Sequence, residues 1–186
     1  MSATSDDICP IIVTERLTLR GWRLADFDTF SAFAMDPERS RYRGGAKSDR
    51  DGAYELMAGQ AGDWHLLGFG GLAITRTGDD DTAIGMTGLW QPPSQSEPEL
   101  FWSLFAGAEG QGFATEAAGA MKDWAAEAIG ITAPMSLIHP DNHASRQVAK
   151  RLGARMESET ALNGEPRELW RHRAATSAVG TAGAAA

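Results

Sequence analysis

The segment FAGAEGQGFATE, residues 105–116, constrains the fold of this chain more than any other stretch. Gly107, Gly110 and Gly112 allow tight backbone turns, and the helix formers from Ala117 onward predict a helix directly afterwards. A strand that continues through such a turn into a helix aims free backbone N–H groups and the positive end of the helix dipole at one point. The sequence therefore predicts an anion site, most often a phosphate site, with a ligand-free turn as the alternative.

Two common phosphate-binding motifs do not fit this turn. A P-loop requires Gly-Lys-Ser/Thr at its end, whereas Gly112 is followed by Phe113. A Rossmann fingerprint requires Gly or Ala where Thr115 stands, and it normally follows the first strand of its fold. The turn therefore belongs to neither class.

Composition limits the class of protein. The 186 residues and 42% hydrophobic content are those of an ordinary globular domain, no stretch has the apolar length of a membrane span, and residues 1–7 are too polar for a secretory signal. A net charge of −8 argues against non-specific nucleic-acid binding, and it suits either a cationic partner or solubility alone. The single cysteine, Cys9, is a weak candidate nucleophile and fits a reducing, cytoplasmic setting.

Hydrophobic periodicity predicts a mixed α/β domain with the element order β-α-α-β-β-β-α-β-α-β-β. We expect one first strand over residues 11–22, then helices that begin at Asp26 and at Ser48 or Asp49. An antiparallel meander over residues 68–105 is followed by a βαβ crossover through the helix after the glycine turn. One domain is expected over residues 1–173, with a disordered Ala-rich tail over residues 174–186.

Several motifs in this order resemble the GCN5-related N-acetyltransferase (GNAT) family. They are ELFWSL (99–104), GQGFATEA (110–117), NHAS (142–145) and KRLGA (150–154). The segment TERLTLR (14–20) makes the chain similar to the branch of ribosomal-protein N-terminal acetyltransferases, and the resemblance covers about residues 12–159. It implies the GNAT fold, a mixed and mostly antiparallel sheet whose strands splay at the cofactor site, and acetyl transfer from acetyl-coenzyme A (acetyl-CoA) to a primary amine.

The resemblance also implies where acetyl-CoA binds. The pyrophosphate is expected on the backbone N–H groups of the glycine turn, and the pantetheine arm on the edge of strand 99–106 where it splays from strand 134–138. A backbone N–H near Leu104 or Phe105 is expected to polarise the thioester carbonyl. Glu109 is a departure from the family pattern, which has Gln or Arg at this position. The expected donor-binding residues are Leu104, Phe105, Ala106, Gly110, Gln111, Gly112, Phe113, Ala114, Thr115, Asn142 and Lys150.

Two side chains are candidates for the proton transfers of the reaction. Glu99 is the candidate general base, directly or through water, and its alternative role is only to contact a cationic substrate. Many family members have a tyrosine acid seven residues after the asparagine, where this chain has Ala149. The ribosomal branch has a serine three residues after it as the proposed acid, which Ser145 matches. The alternative is that the Ser145 hydroxyl only hydrogen-bonds the helix backbone.

The remaining polar residues carry weaker expectations. Asn142 is expected to cap a helix and, by resemblance, to contact the pantetheine arm. Arg146, Lys150 and Arg151 are either contacts to the adenosine 3′-phosphate or solvated helix charges. The four histidines lack metal-ligand spacing, so no metal is predicted.

The sequence leaves the acetyl acceptor open between a protein N-terminus and a small amine. Loops 41–45 and 90–98, with Trp90 or Trp102, are expected to shape its pocket. A non-catalytic acyl-CoA sensor is the alternative from another class, suggested by Ala149 and Glu109. A symmetric homodimer is the default expectation for the oligomeric state.

Overall fold

A computed structural model describes residues 8–173 of the protein. Over these residues the chain forms one sheet with the strand order β1-β2-β3-β4-β5-β6-β8-β7. The strands are β1 (Ile12–Val13), β2 (Leu17–Arg20), β3 (Gly71–Arg76), β4 (Gly85–Trp90), β5 (Glu99–Leu104), β6 (Met135–Ile138), β7 (Arg155–Leu162) and β8 (Glu165–Arg171). The helices are α1 (Phe27–Met35), α2 (Pro37–Ser40), α3 (Arg50–Leu67), α4 (Phe113–Ile129) and α5 (His143–Arg151). The tail predicted over residues 174–186 lies outside the described residues.

The predicted α/β class and the order of the main elements are confirmed, but the first strand was predicted wrongly as a single run. It is a hairpin, because Thr14 closes a turn between β1 and β2. Its N–H donates to Leu17 O over 2.8 Å, and its hydroxyl accepts from Leu17 N–H over 3.0 Å. The turn places Arg16 at the tip of the hairpin, beside α4.

A second difference lies after α1. Asp36 ends that helix, as predicted for a residue before proline. Its carboxylate then caps the short helix α2, because Oδ1 accepts from the N–H groups of Glu38 (2.9 Å) and Arg39 (3.2 Å), with Pro37 in the first turn. The sequence prediction did not include α2.

Asp26 precedes α1 as predicted, but its side chain does not cap that helix. The carboxylate instead accepts hydrogen bonds from both terminal nitrogens of Arg20, each over 2.8 Å, and from the backbone N–H of Arg23 over 2.9 Å. Arg20 and Asp26 are each 1% exposed. Arg20 also donates to Asp80 O in the turn after β3, so one buried ion pair joins β2, the start of α1 and that turn.

Strands β5 and β6 splay apart, as the family resemblance implies. They are parallel neighbours paired at a single position, Glu99 with Met135, where Met135 N–H donates to Pro98 O. One residue further along, a side chain rather than the backbone joins the two strands, since Ser136 Oγ of β6 donates to Leu100 O of β5 over 2.6 Å. The next N–H, that of Leu137, reaches the Glu99 carboxylate rather than the β5 backbone.

The two faces of the sheet bury separate cores. Helix α1 and the first half of α3 pack on the face that carries Phe101. Helices α4 and α5, together with Trp64 near the end of α3, pack in the core that contains Leu100 and Trp102. Successive residues of β5 therefore face opposite cores. Gly112 begins α4 and Gly130 ends it, both in the left-handed region, so the glycine turn joins the end of β5 to the α4 layer.

Candidate active site

A cavity of about 640 Å³ opens where β5 and β6 separate. It brings together the two candidate catalytic side chains, Glu99 and Ser145, although they are far apart in the sequence. Trp90 and Trp102 both line it, as predicted. Its wall consists of Arg41, Tyr42, Arg43, Gly44, Gly45, Leu56, Gln60, Trp90, Glu99, Leu100, Phe101, Trp102, Ser136, Leu137, Ile138, His139, Asn142, Ser145, Leu162, Asn163, Glu165 and Arg167.

Glu99 is a buried carboxyl on the wall of this cavity. Its oxygens accept weak hydrogen bonds from Gln95 Nε2 and from Leu137 N–H, each over 3.4 Å. Burial raises the pKa of Glu99, and the positive charge of Arg43 offsets only part of that effect. A carboxyl with a raised pKa is a stronger base than an ordinary one, which suits a group that must take a proton near neutral pH.

The hydrogen bonds of β5 show which of its backbone groups face the open edge. Phe101 O accepts from Thr87 on β4, and Phe105 N–H donates to Ile84 O over 2.8 Å, whereas Leu100 O faces β6. Because successive residues of a strand direct their polar groups to opposite edges, the N–H of Leu104 faces the open side. The N–H of Phe105 is therefore already hydrogen-bonded to β4. Of the two predicted oxyanion donors, only the N–H of Leu104 is left.

Asn142 and Ser145 lie at the start of α5, at the mouth of the splay. Asn142 Oδ1 accepts from Ser145 N–H over 3.1 Å, which confirms the predicted cap. The Ser145 hydroxyl is half-buried and makes no hydrogen bond to any described residue. The alternative in which this hydroxyl only bonds the helix backbone is therefore absent from the structure, and the group is available to a ligand.

The glycine turn has the conformation that the sequence predicts. Gly112 has a φ of 82° and is the N-cap residue of α4. Phe113 and Ala114 stand in the first turn, where N–H groups have no acceptor within the helix. The N–H of Thr115 already donates to Gly112 O over 3.1 Å. The backbone N–H groups that can bind the pyrophosphate are therefore those of residues 110–114. The Thr115 hydroxyl is buried and has no hydrogen-bond partner among the described residues.

Arg16, at the tip of the β1–β2 hairpin, contacts the glycine turn, and the sequence did not predict this contact. Its guanidinium donates to Gln111 O over 3.0 Å, pairs with Glu116, and lies 4.9 Å from the centre of the Phe113 ring. Its charge is compensated by Glu116, so Arg16 holds the turn at the predicted pyrophosphate site rather than adding a net positive charge there. No local pattern signals this contact, since it joins segments about a hundred residues apart.

Glu109 braces the turn from the other side. Its carboxylate accepts from Gly107 N–H over 2.9 Å and pairs with Arg39. Burial raises the pKa of Glu109, but the hydrogen bond from Arg39 and the other bonds lower it below its usual value overall. The glutamate thus has a structural contact where the family pattern has Gln or Arg.

Lys150 and its basic neighbours lie away from the cavity wall. Lys150 is exposed near the end of α5, about 12 Å along the helix from Asn142. Arg151 is exposed as well, and Arg146 Nε lies 3.1 Å from Glu168 Oε2. A contact between Lys150 and the adenosine 3′-phosphate therefore stays a prediction.

Only part of the cavity wall was predicted. Loop 41–45 lines it as expected, whereas Trp90 is the only residue of loop 90–98 that does. The turn between β7 and β8 and the buried Arg167 were missed, because nothing in the local pattern shows that this hairpin lies beside β5. Sheet order decides that placement.

Two further expectations concern absent features. Among residues 8–173, no cluster of His, Cys, Asp and Glu side chains has the arrangement to hold a metal ion. Within the same range no helix is both long enough and apolar enough to cross a membrane.

The model of the acetyltransferase (GNAT) domain family matches residues 16–155. The chain belongs to the GNAT family. The acetyltransferase from Agrobacterium tumefaciens strain C58 is 34% identical, with a TM-score of 0.79 over 88% of this chain and 94% of that one. This GNAT protein is therefore an acetyl-CoA-dependent N-acetyltransferase, which acetylates an amine.

Two less similar structures share the GNAT fold. Mycobacterium smegmatis RimJ, in complex with CoA-disulfide, is 16% identical, with a TM-score of 0.69 over 85% of this chain and 82% of that one. The ribosomal-protein-S5-alanine acetyltransferase from Vibrio fischeri is 18% identical, with a TM-score of 0.67 over 88% and 96% of the two chains. At these identities the likeness concerns the fold.

A substitution at the turn tests its predicted role in this GNAT enzyme. We expect Gly112→Val to weaken CoA binding at least about 100-fold, because a β-branched residue is strained at φ 82° and several N–H donors lose their aim together. Its Cβ would also lie 3.5 Å from the Arg16 guanidinium. Titration calorimetry with CoA provides the measurement.

The matched control is Gly130→Val at the other end of α4. Gly130 has a similar φ of 73°, and no atom lies within 4 Å of the place that a Cβ would take, so the strain is comparable. We expect this variant to bind CoA like the wild type. Equal affinity in Gly112→Val and wild type would remove the turn from the donor site.

Proposed function

We propose that this enzyme acetylates the N-terminal amine of a protein by direct transfer from acetyl-CoA in a ternary complex. The observation that carries the direct transfer is that Glu99 and Ser145 line one cavity with Leu100 and Trp102 of β5, the strand that separates from β6 beyond Glu99. Support for a protein N-terminus comes from the resemblance of segment 14–20 to the ribosomal-protein branch and from the fold shared with RimJ and the S5-alanine acetyltransferase.

The proposed donor site uses backbone groups. The pyrophosphate of acetyl-CoA binds the N–H groups of residues 110–114 at the positive end of α4, with Arg16 beside it. The pantetheine arm adds to the open edge of β5 near Leu104 and Ala106, and Asn142 contacts the arm from α5. Lys150 remains the proposed contact for the adenosine 3′-phosphate.

The proposed reaction forms one bond and breaks one. The neutral amine attacks the thioester carbonyl carbon, so that a C–N bond forms, the C–S bond breaks and the electron pair leaves on sulfur. Glu99 takes the proton of the amine through water, and Ser145 supplies a proton to the departing thiolate. Ser145 then regains a proton from solvent as Glu99 releases its own. The N–H of Leu104 stabilises the negative charge that develops on the carbonyl oxygen, an effect typically worth about 3 kcal/mol.

A small amine is the second candidate acceptor. The cavity is walled by loop 41–45 on one side and by the turn between β7 and β8 on another, a concave shape that suits a small molecule. A non-catalytic acyl-CoA sensor is the third candidate, and the free hydroxyl of Ser145 argues against it.

One panel of amines separates the three candidates. Release of CoA thiol is measured with ribosomal-protein N-terminal peptides, amino acids, polyamines and amine-bearing antibiotics, and mass spectrometry locates the acetyl group. Acetylation of a peptide α-amine at the highest kcat/KM supports the proposal. Turnover confined to small molecules supports the second candidate, and no thiol release above background with any amine overturns an enzymatic role.

Ser145→Ala is expected to lower kcat at least about 100-fold, because the thiolate then leaves without a proton donor. CoA binding should remain within about twofold of wild type, since Asn142 still caps α5 through the backbone of residue 145. Ser158→Ala on the exposed face of β7 is the control. A kcat within about twofold of wild type would exclude Ser145 as the acid.

The proposal includes a cytoplasmic location and a symmetric homodimer. The chain has a single cysteine, which is buried and cannot form a disulfide within the chain, and this supports a reducing compartment. The homodimer has only the general frequency of such assemblies as support.

A further inference from the structure

Two guanidinium groups on the cavity wall have no carboxylate partner. Arg167 is 7% exposed, and its side chain donates to Pro166 O over 2.8 Å. The Arg43 guanidinium lies 4.5 Å from the centre of the Phe101 ring. Among residues 8–173, no carboxylate oxygen lies within 4.0 Å of a guanidinium nitrogen of Arg43 or Arg167, so neither side chain forms an ion pair. Arg167 is buried, and a buried charge is normally paired, whereas Arg43 is exposed at the wall and also lacks a carboxylate. This wall therefore has positive charge to offer a ligand.

Glu99 is the only buried carboxyl among the described residues of the same wall. Arg43 and Arg167 both act on it through space, since their charges oppose the effect of burial on its pKa. Of the other charged groups there, Arg41 is already paired with Glu38 over 2.9 Å, and Glu165 is exposed. The inner wall therefore has two positive groups against one carboxyl that resists ionisation, which leaves an excess of positive charge.

We propose that Arg43 and Arg167 bind a carboxylate of the acceptor, so that the substrate carries its amine and a carboxylate in one molecule. The amine faces Glu99, and the carboxylate faces the two arginines. The inference rests on the proposed acetyl transfer, because it describes the acceptor of that reaction, whether this is the protein N-terminus or the small amine named as the second candidate. The carboxylate belongs either to the backbone of a free amino acid or to an acidic side chain near a protein N-terminus, and both share this chemistry.

The phosphates of acetyl-CoA do not explain the arginines equally well. The glycine turn with its free N–H groups follows the far end of β5, about 17 Å along the strand from Glu99. Arg16 donates a hydrogen bond to that turn, whereas Arg43 and Arg167 line the same cavity wall as Glu99. The charge of the whole chain, −8, disfavours acidic ligands in general, so a local positive wall selects for an anion at this place.

The test compares matched substrates that differ only in one carboxylate. One arm uses free amino acids against their amides, and the other uses C-terminally amidated peptides whose second residue is Asp or Asn. We expect wild-type kcat/KM to be about 10- to 100-fold higher for the carboxylate member of at least one pair, as for hydrogen bonds to a charged group. The arm that discriminates identifies the source of the carboxylate.

Variants then locate the effect. Arg43→Gln and Arg167→Gln are each expected to lose about 10- to 100-fold in kcat/KM for the carboxylate substrate and to stay within about threefold for its amide. Arg155→Gln removes an exposed charge on β7 and should change neither value. Because Arg43 is an exposed loop residue, Arg43→Gln and Arg43→Glu keep the test valid if Arg167→Gln does not fold.

Calorimetry separates this inference from the proposed function. Each substrate and its uncharged analogue is titrated into the complex of the protein with CoA. Preferential binding of the carboxylate member without turnover upholds the inference and overturns the proposed function. Turnover with equal kcat/KM for both members of every pair, or equal losses on both members in the variants, overturns the inference and leaves the proposed function intact.

Discussion

Glu99→Gln is expected to lower kcat by about 100- to 10,000-fold, because the amide cannot take the proton that the attacking amine must lose. The substitution keeps the size of the side chain and its capacity to accept from Gln95 and Leu137. CoA affinity should remain unchanged, since the proposed donor site does not use this carboxyl. Steady-state kinetics with saturating acetyl-CoA provides the measurement, and Glu127→Gln on the exposed side of α4 is the matched control.

The pH profile identifies the proton acceptor. Burial raises the pKa of Glu99, so the wild-type rate should rise with pH through a value above that of an ordinary glutamate. In Glu99→Gln the rate should no longer rise with pH in this range, so the variant should lose this limb of the pH–rate profile. A variant that keeps the limb has its base elsewhere. A higher KM at unchanged kcat would mean that Glu99 only contacts the substrate.

The same shift has a consequence for stability. Because the pKa of Glu99 is higher in the folded than in the unfolded chain, the folded state binds more protons between the two values, and its stability falls as pH rises through the folded pKa. Glu99→Gln removes this loss. The Tm of the variant at pH 8 should therefore not lie below that of the wild type, and a loss of activity cannot then be attributed to unfolding.

Asp26→Ala is expected to lower the free energy of unfolding by about 3–5 kcal/mol, the usual cost of removing one partner of a buried ion pair. The variant removes both 2.8 Å contacts to Arg20 and the bond from Arg23 N–H. A nearly inaccessible guanidinium then loses its two bonds to Asp26 in a site where water cannot replace them. Urea denaturation followed by circular dichroism gives the change.

Asp28→Ala, two residues further along the chain, is the matched control. Asp28 pairs with Arg50 at the surface, where both side chains are more than half exposed, so its loss should cost less than about 1 kcal/mol. If the two variants lost the same stability, the buried pair would have no special role. Activity per folded molecule should be retained in both, because neither aspartate lines the cavity.

The candidate site shows where local patterns suffice. Asn142 was predicted as a cap because a short polar side chain before a helix has one common role, and it caps α5. Asp26 has the same local signature, yet its carboxylate binds Arg20 instead. The difference is tertiary, since a buried arginine from the neighbouring strand competes for the carboxylate more strongly than helix N–H groups do.

The amino-acid sequence by itself determined the order of the main elements, the conformation of the glycine turn and the family. These depend on periodicity, on the left-handed φ that glycine permits and on the spacing of motifs, all of which are properties of neighbouring residues. Only the tertiary structure decided that Leu104 rather than Phe105 faces the open edge, that Arg16 contacts the glycine turn, and that Arg167 lines the wall beside Glu99. Sheet order and strand register bring these groups together across long sequence separations, where no local pattern signals the contact.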